Sequence, residues 1–155
     1  MSNIETALKA LGVELPDAPK PLGNFAPYLI DGTDLFISGQ ISIDPNGRVI
    51  TGRLGEEVSI EQGQEAARCC AIGLLARAKG ALGDLERIDR LVKLGAFVNA
   101  APGFAAHPQV VNGASDLMVA TLGAEKGTHV RFAVGSSSLP ANAAVEIEAH
   151  FRVKA

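Results

Sequence analysis

Val145-Glu146-Ile147-Glu148-Ala149-His150-Phe151-Arg152-Val153 puts an apolar side chain at every odd position and a polar one at every even position. A period of two marks a strand with one buried face and one charged face. Upstream, Val130, Phe132 and Val134 alternate with His129, Arg131 and Ala133, which reads as a second strand of the same kind. By this alternation Arg131 and the Glu146/Glu148 pair share the face that packed helices leave uncovered.

The helices are equally marked. Ser59-Ile60-Glu61-Gln62 is a capping box, in which the serine oxygen and the glutamine side chain each satisfy a free N–H. Behind it Ala66, Ala67, Cys70, Ala71, Leu74, Leu75, Ala78 and Leu82 recur at helical spacing, and Gly83 is the stop. A second helix is predicted from about His107-Pro108 to Leu122, with Val110, Val111, Ala114, Leu117 and Met118 inward and Gly123 ending it. Pro108 suits a first helical turn, where a missing N–H costs nothing. Between the two helices, residues 91–98 read as a strand.

The N-terminal third is shorter-grained. Ser2-Asn3-Ile4-Glu5 caps a short helix with Ile4, Leu8 and Leu11 on one side and Gly12 as its end. Pro16, Pro19 and Pro21 make the next stretch an extended connector. Strands are predicted at residues 28–30 and 35–38, separated by the turn-former cluster Asp31-Gly32-Thr33. Pro45-Asn46-Gly47 is another turn, with Arg48-Val49-Ile50 as a candidate extra strand after it.

The element order is β-β-α-β-α-β-β, which predicts an α+β two-layer sandwich with both long helices on one face of a mixed sheet. Right-handed crossovers make the strands flanking each long helix parallel. The final strand then pairs antiparallel at an edge or inserts into a gap between the others. The stretch from Gly135 to Ala143 is too long for a tight hairpin and permits the insertion.

At 155 residues the chain is expected to form a single domain over residues 1–155, with residues 1–20 as the N-terminal helix and proline-rich connector. Apolar residues at 47% and charged residues at 20% are globular proportions, so wholesale disorder is not expected. Apolar runs such as 71–76 fall far short of the ~20 residues a membrane span needs. No basic, apolar leader opens the chain, and the only two cysteines are the adjacent Cys69 and Cys70. Both observations fit a cytoplasmic protein without a disulfide framework. A net charge of −3 with no Lys/Arg cluster offers little to a nucleic-acid phosphate backbone.

Most chemistry-bearing side chains have plain readings. Cys69 and Cys70 point about 100° apart on a helix, which disfavours a redox pair, and Cys70 lies on the apolar stripe as core packing. His107, His129 and His150 show no metal-ligand spacing, so no metal is expected. Ser136-Ser137-Ser138 reads as a polar loop, and no Gly-x-Ser-x-Gly elbow is present. Gly32, Gly39 and Gly47 form no phosphate cradle. The face carrying Arg131, Glu146 and Glu148 has two explanations: plain solvent exposure, or cover by another subunit with a polar pocket trapped between.

Several segments carry a resemblance. Arg131-Phe132-Ala133-Val134, then Leu139-Pro140, then Val145-Glu146-Ile147-Glu148-Ala149 resembles the C-terminal signature of the RidA (YjgF) family. Ser38-Gly39-Gln40 is similar to the family's Ser-Gly-Gln. Val111-Asn112-Gly113-Ala114-Ser115 is similar to its helical Asn-Ala stretch once a short insertion is allowed. The resemblance spans roughly Pro21 to Val153. It implies a chorismate-mutase-like protomer, a homotrimer with three inter-subunit clefts, and hydrolysis of reactive enamine/imine acids to 2-keto acids and ammonia. It requires no cofactor, because such a substrate is already electrophilic. The family arginine that grips the substrate carboxylate falls on Arg131, where a guanidinium supplies two parallel charge-assisted hydrogen bonds. The glutamate that positions water falls on Glu146, with Glu148 as its competitor. Substrate-binding positions fall on Phe25, Ser38, Gly39, Asn112, Ala133 and Glu148.

The departures are specific. Phe25 stands where the family has a cleft tyrosine, Ala133 where a cysteine is common, and Ser138 where a basic residue is common. They favour a divergent subgroup and keep open a non-catalytic alternative, binding or sensing of small carboxylates in the same cleft. An endoribonuclease label is also attached to parts of the family; the acidic balance and the absence of Trp argue against it here.

Overall fold

The structure is a computed structural model that describes residues 2–18, 20 and 23–155. Its elements follow from the local chemistry. The Ser59 hydroxyl accepts from the Gln62 backbone N–H at 3.1 Å, and the Gln62 side chain accepts from the Ser59 N–H at 2.9 Å. This starts helix α2, Ile60–Leu82, which ends at Gly83 in a left-handed conformation, φ 75°. Helix α3, His107–Leu122, carries Pro108 in its first turn, and a single turn, α4, follows at Ala124–Gly127. Ser2 closes the expected capping box on α1, Asn3–Ala10. Ile4 and Leu8 are buried beneath α1, whereas Leu11 stays exposed at its end. Pro19 and Pro21 of the expected connector lie outside the described residues.

The strands are β1 (Tyr28–Asp31), β2 (Asp34–Ile41), β3 (Ile88–Asn99), β4 (Val130–Ser136) and β5 (Val145–Val153). They form one mixed sheet in the order β1-β2-β5-β3-β4. β3 and β4 are parallel, as the right-handed crossover through α3 requires. β5 runs antiparallel to both β2 and β3, so it fills the gap between them rather than an edge. The expected strand at residues 48–50 is reduced to isolated bridges, Ile43 with Val49 and Thr51 with Ala143. Both long helices cover one sheet face. The core between the layers joins Leu35, Leu94 and Phe151 of the sheet to Leu74, Leu75 and Met118 of the helices.

One expectation is corrected by the register. Arg131 stands opposite Leu94 and Ala133 opposite Ala96, and both β3 partners are fully buried under the helices. Arg131 and Ala133 therefore face the helix layer, while Glu146 and Glu148, opposite Phe97 and Gly95, face the open side. The two faces were exchanged on β4 because polarity misleads at an edge. Val130, 66% exposed, and Val134, 43% exposed, point outward on β4, so the apolar half of its alternation is not the core half.

The seat of α3 is tight. A Cβ added at Gly113 would collide with the backbone carbonyl of Gln64 on α2, so only glycine allows the helices to cross this closely. Backbone cannot yield as a flexible side chain does. Gly113→Ala is expected to destabilise the fold by about 1–3 kcal/mol, net of alanine's better helix propensity. Calorimetry should read this as a Tm lowered by several degrees; an unchanged Tm would show that α3 is not seated on Gln64.

α1 is tethered by Lys79 Nζ to Glu5 Oε1 at 2.6 Å. Hydrogen bonding from Lys79 first, then from the Ser2 backbone, holds the Glu5 carboxyl at about 2, below its ordinary 4.5. A carboxyl depressed on folding stabilises above its unfolded pKa and loses that contribution as pH falls through the folded one. The stability difference between the parent chain and Glu5→Gln is expected to shrink between about pH 4.5 and 2, measured by denaturant titration at each pH.

Candidate functional site

Arg131 extends from edge strand β4 against the first half of α3. Its Nη1 donates to Ser115 Oγ at 2.9 Å, and its Nη2 donates to Asn112 Oδ1 at 2.9 Å and to the Pro108 carbonyl at 3.2 Å. Pro108, Asn112 and Ser115 fall three to four residues apart, so one helical face presents all three acceptors. The Nε–H and one Nη1 hydrogen have no partner among the described residues. No carboxylate among the described residues pairs with this guanidinium. The arrangement is a fixed cation beside Ala133, with donors left for an anion. Asn112, expected to touch substrate, accepts a hydrogen bond from the arginine.

Ser115 is itself engaged. Its hydroxyl lies 2.9 Å from His129 Nε2, and His129 Nδ1 lies 2.6 Å from the Gly127 carbonyl. Neither Ser115 nor His129 was found from sequence as a site residue. The available signal was Ser115 standing three residues after Asn112 on one helix face.

On the open face β2 carries a bulge. Ile37 pairs with Ala149 and Gln40 with Ile147, so Ser38 and Gly39 together oppose one residue of β5. Gly39 lies under the Glu146 carboxylate: an added Cβ would come within 2.9 Å of Oε1. Only the absence of a side chain lets this carboxyl settle there. Glu146 is half-buried and Glu148 is exposed, and burial raises the Glu146 carboxyl above its ordinary value. That difference separates two glutamates that alternation left equivalent.

The bulge is held from beneath. Gln40 Nε2 donates to the Ser38 and Gly39 carbonyls at 2.9 and 3.2 Å, and Arg77 Nε donates to Gln40 Oε1 at 3.3 Å. Arg77 is only 8% exposed, and burial alone lowers its pKa. A cation amid the Leu74–Ala78 run of α2 was a legible irregularity that sequence reading passed over. The Ser38 hydroxyl donates to the Ala26 carbonyl at 2.9 Å, which ties down the segment next to exposed Phe25. Ser38 is thus a tether.

Two half-sites result. Ser38, Gly39 and Glu146 gather around the β2 bulge, with Phe25 one residue before the tethered Ala26, whereas Arg131, Asn112 and Ala133 gather at the β4 edge under α3. Glu146 and Arg131 lie two strand spacings apart across the sheet and three residues apart along it, roughly 14 Å between backbones, on opposite faces of the sheet. They do not converge within one protomer.

Other candidates fall away on geometry. Burial first, with Glu65 second, pushes the Cys69 thiol up to about 12, and burial raises Cys70 well above its ordinary value, so neither is a ready nucleophile. His150 Nε2 contacts Asp34 Oδ1 at 2.7 Å and its ring stacks on Phe36. Among the described residues, no group of three or more His, Cys, Asp or Glu converges as a metal site, and no helix is long and apolar enough to cross a membrane.

Comparisons with known proteins agree with this architecture. The profile of a family described as "YjgF/chorismate_mutase-like, putative endoribonuclease" matches residues 5–150. Protein TCP17 of Trypanosoma cruzi is 44% identical over 142 residues, covering 92% of this chain and 89% of that protein. The crystal structure of Atu1372 from Agrobacterium tumefaciens, a protein of unknown function, superposes with a TM-score of 0.91 at 43% identity, covering 98% of this chain and 93% of that one. A protein of Shewanella oneidensis, described with the same endoribonuclease wording, has a TM-score of 0.93 at 31% identity, covering 98% and 100%. The chain belongs to the YjgF/chorismate mutase-like family.

Proposed function

We propose that this protein hydrolyses small reactive enamine/imine acids to 2-keto acids and ammonia, in clefts between the protomers of a homotrimer. The observation that carries the reading is the Arg131 guanidinium, fixed by three hydrogen bonds that it donates to α3, with no carboxylate partner among the described residues. An unpaired, oriented guanidinium is suited to a substrate carboxylate.

The opposite-face placement favours assembly. Val130 and Val134 of β4, together with Phe36 and Phe97, leave exposed apolar side chains on the open face, the kind of surface a second copy can cover. A second copy that lays its open face against this edge covers that surface and brings its own Glu146 toward Arg131. Water then attacks the imine carbon while Glu146 takes one of its protons, and C=N becomes C–N. The protonated Glu146 returns that proton to nitrogen, giving a carbinolamine; the carboxylate then takes the hydroxyl proton and passes it to nitrogen as C=O forms and the C–N bond breaks, so nitrogen leaves as ammonia. The raised Glu146 carboxyl is the stronger base for this. Gly39 keeps the carboxylate's approach open, and Phe25 supplies an aromatic wall.

A second reading, non-catalytic binding of a 2-keto acid, is favoured by Phe25, whose ring offers no hydroxyl to the cleft. Saturable keto-acid binding by calorimetry without imine turnover selects it.

With 2-iminobutanoate generated by a coupled dehydratase or oxidase, Arg131→Ala is expected to lower kcat/KM by about a hundredfold or more. Undiminished turnover removes the proposal. The general base must be ionised, so the acid limb of kcat/KM against pH is expected above the ordinary carboxylate range, and Glu146→Gln should abolish activity throughout. Inactive Arg131→Ala and Glu146→Gln chains, unfolded and reassembled together, should regain about a quarter of parental activity, because random pairing brings an intact Arg131 to an intact Glu146 at that fraction of interfaces. No recovery would place both groups in one protomer's site.

A further inference from the structure

We propose that Ser115 and His129 form a hydrogen-bond relay that orients the Arg131 guanidinium, which makes His129 a positioning residue of the anion site. The direction of each bond follows from the partners. The Gly127 carbonyl can only accept, so the hydrogen sits on His129 Nδ1. In neutral imidazole, Nε2 is then an acceptor, and the Ser115 hydroxyl donates its hydrogen bond to it. The Ser115 oxygen thereby turns its lone pairs to Arg131 Nη1–H. Without His129 that hydroxyl is free to rotate, and its hydrogen can point at the cation.

The far end of the relay is rigid backbone. Gly127 N–H donates to the Gly123 carbonyl at 2.7 Å, the Thr128 hydroxyl donates to the Ala124 carbonyl, and Arg90 Nη2 donates to the Thr128 carbonyl at 3.0 Å. The α4 turn, inserted between α3 and β4, thus fixes the imidazole, and the imidazole fixes the guanidinium. A free arginine side chain samples many rotamers, and that freedom is lost when it grips a ligand. Orienting it before the ligand arrives removes part of that cost from binding.

This inference rests on Arg131 being the carboxylate grip, and the experiment separates the two. The probe is 2-ketobutyrate, with binding read by calorimetry and turnover by the coupled imine assay. His129→Phe keeps a ring but loses the acceptor and is expected to raise Kd about threefold to tenfold. His129→Gln, whose side-chain oxygen reaches about the place of Nε2, should restore near-parental binding. Ser115→Ala combined with His129→Phe should bind no more weakly than Ser115→Ala alone. Nitrogen-15 NMR of the parent chain should show the Nδ1–H tautomer at His129, and His129→Phe should broaden or average the Arg131 guanidinium signals. An Nε2–H tautomer, guanidinium signals indifferent to His129→Phe, or parental Kd in that variant would overturn the relay. If the parent chain binds no keto acid, the carboxylate-grip reading fails, and the tautomer with the guanidinium signals still decides the relay.

Discussion

β5 is hydrogen-bonded along both edges, to β2 on one side and β3 on the other. Its odd side chains are buried without exception, and its even ones stand on the open face. Remove this strand and β1-β2 has no connection to β3-β4 within the sheet. The same strict period aims Glu146 away from the helices. A single-residue slip of its register would bury Glu146, Glu148, His150 and Arg152 and expose the core. Hydrophobic burial therefore determines where the carboxylate points before any catalytic demand acts.

The arginine is constrained by the opposite requirement. A guanidinium on the open face would be solvated and mobile. On the helix face it meets Asn112, Ser115 and the Pro108 carbonyl. That encounter depends on α3 approaching closely, which Gly113 allows by accepting contact with the Gln64 carbonyl. A guanidinium so placed belongs at the edge strand, since a central strand's helix face is sealed by core residues. The physical consequence is a cation and a carboxylate on opposite sides of one sheet, which a single protomer does not bring together.

Much of this was legible. The capping boxes at Ser2 and Ser59, the glycine stops at Gly83 and Gly123, and the alternation of β5 each reflect local chemistry that tertiary structure leaves unchanged. The loop from Gly135 to Ala143 was read as long enough for insertion, and β5 does insert. The face of Arg131 was misread because alternation records polarity, and polarity equals burial only when one face meets water. On β4 the outward valines carry apolar surface of the kind assembly covers. The bulge at Ser38-Gly39 was illegible for another reason: a bulge is a register event between two strands, and neither strand announces it alone.

The side chains missed from sequence share a property. Arg77, Ser115 and His129 are polar groups whose partners are distant in sequence or lie on the backbone, so no spacing rule finds them. Each also departs from its local pattern: Arg77 in a buried run of α2, Ser115 on the sheet-facing side of α3, His129 at the entrance to an edge strand. A buried cation like Arg77 costs free energy unless it makes hydrogen bonds that matter elsewhere, and here the bond goes to Gln40, which supports the Ser38-Gly39 bulge beneath Glu146. The departures from local rule thus cluster around the two groups with the most demanding placement, Glu146 and Arg131. Where sequence and fold agree, the molecule is scaffold; where a polar side chain intrudes without a sequence-level reason, it holds a piece of the site in position.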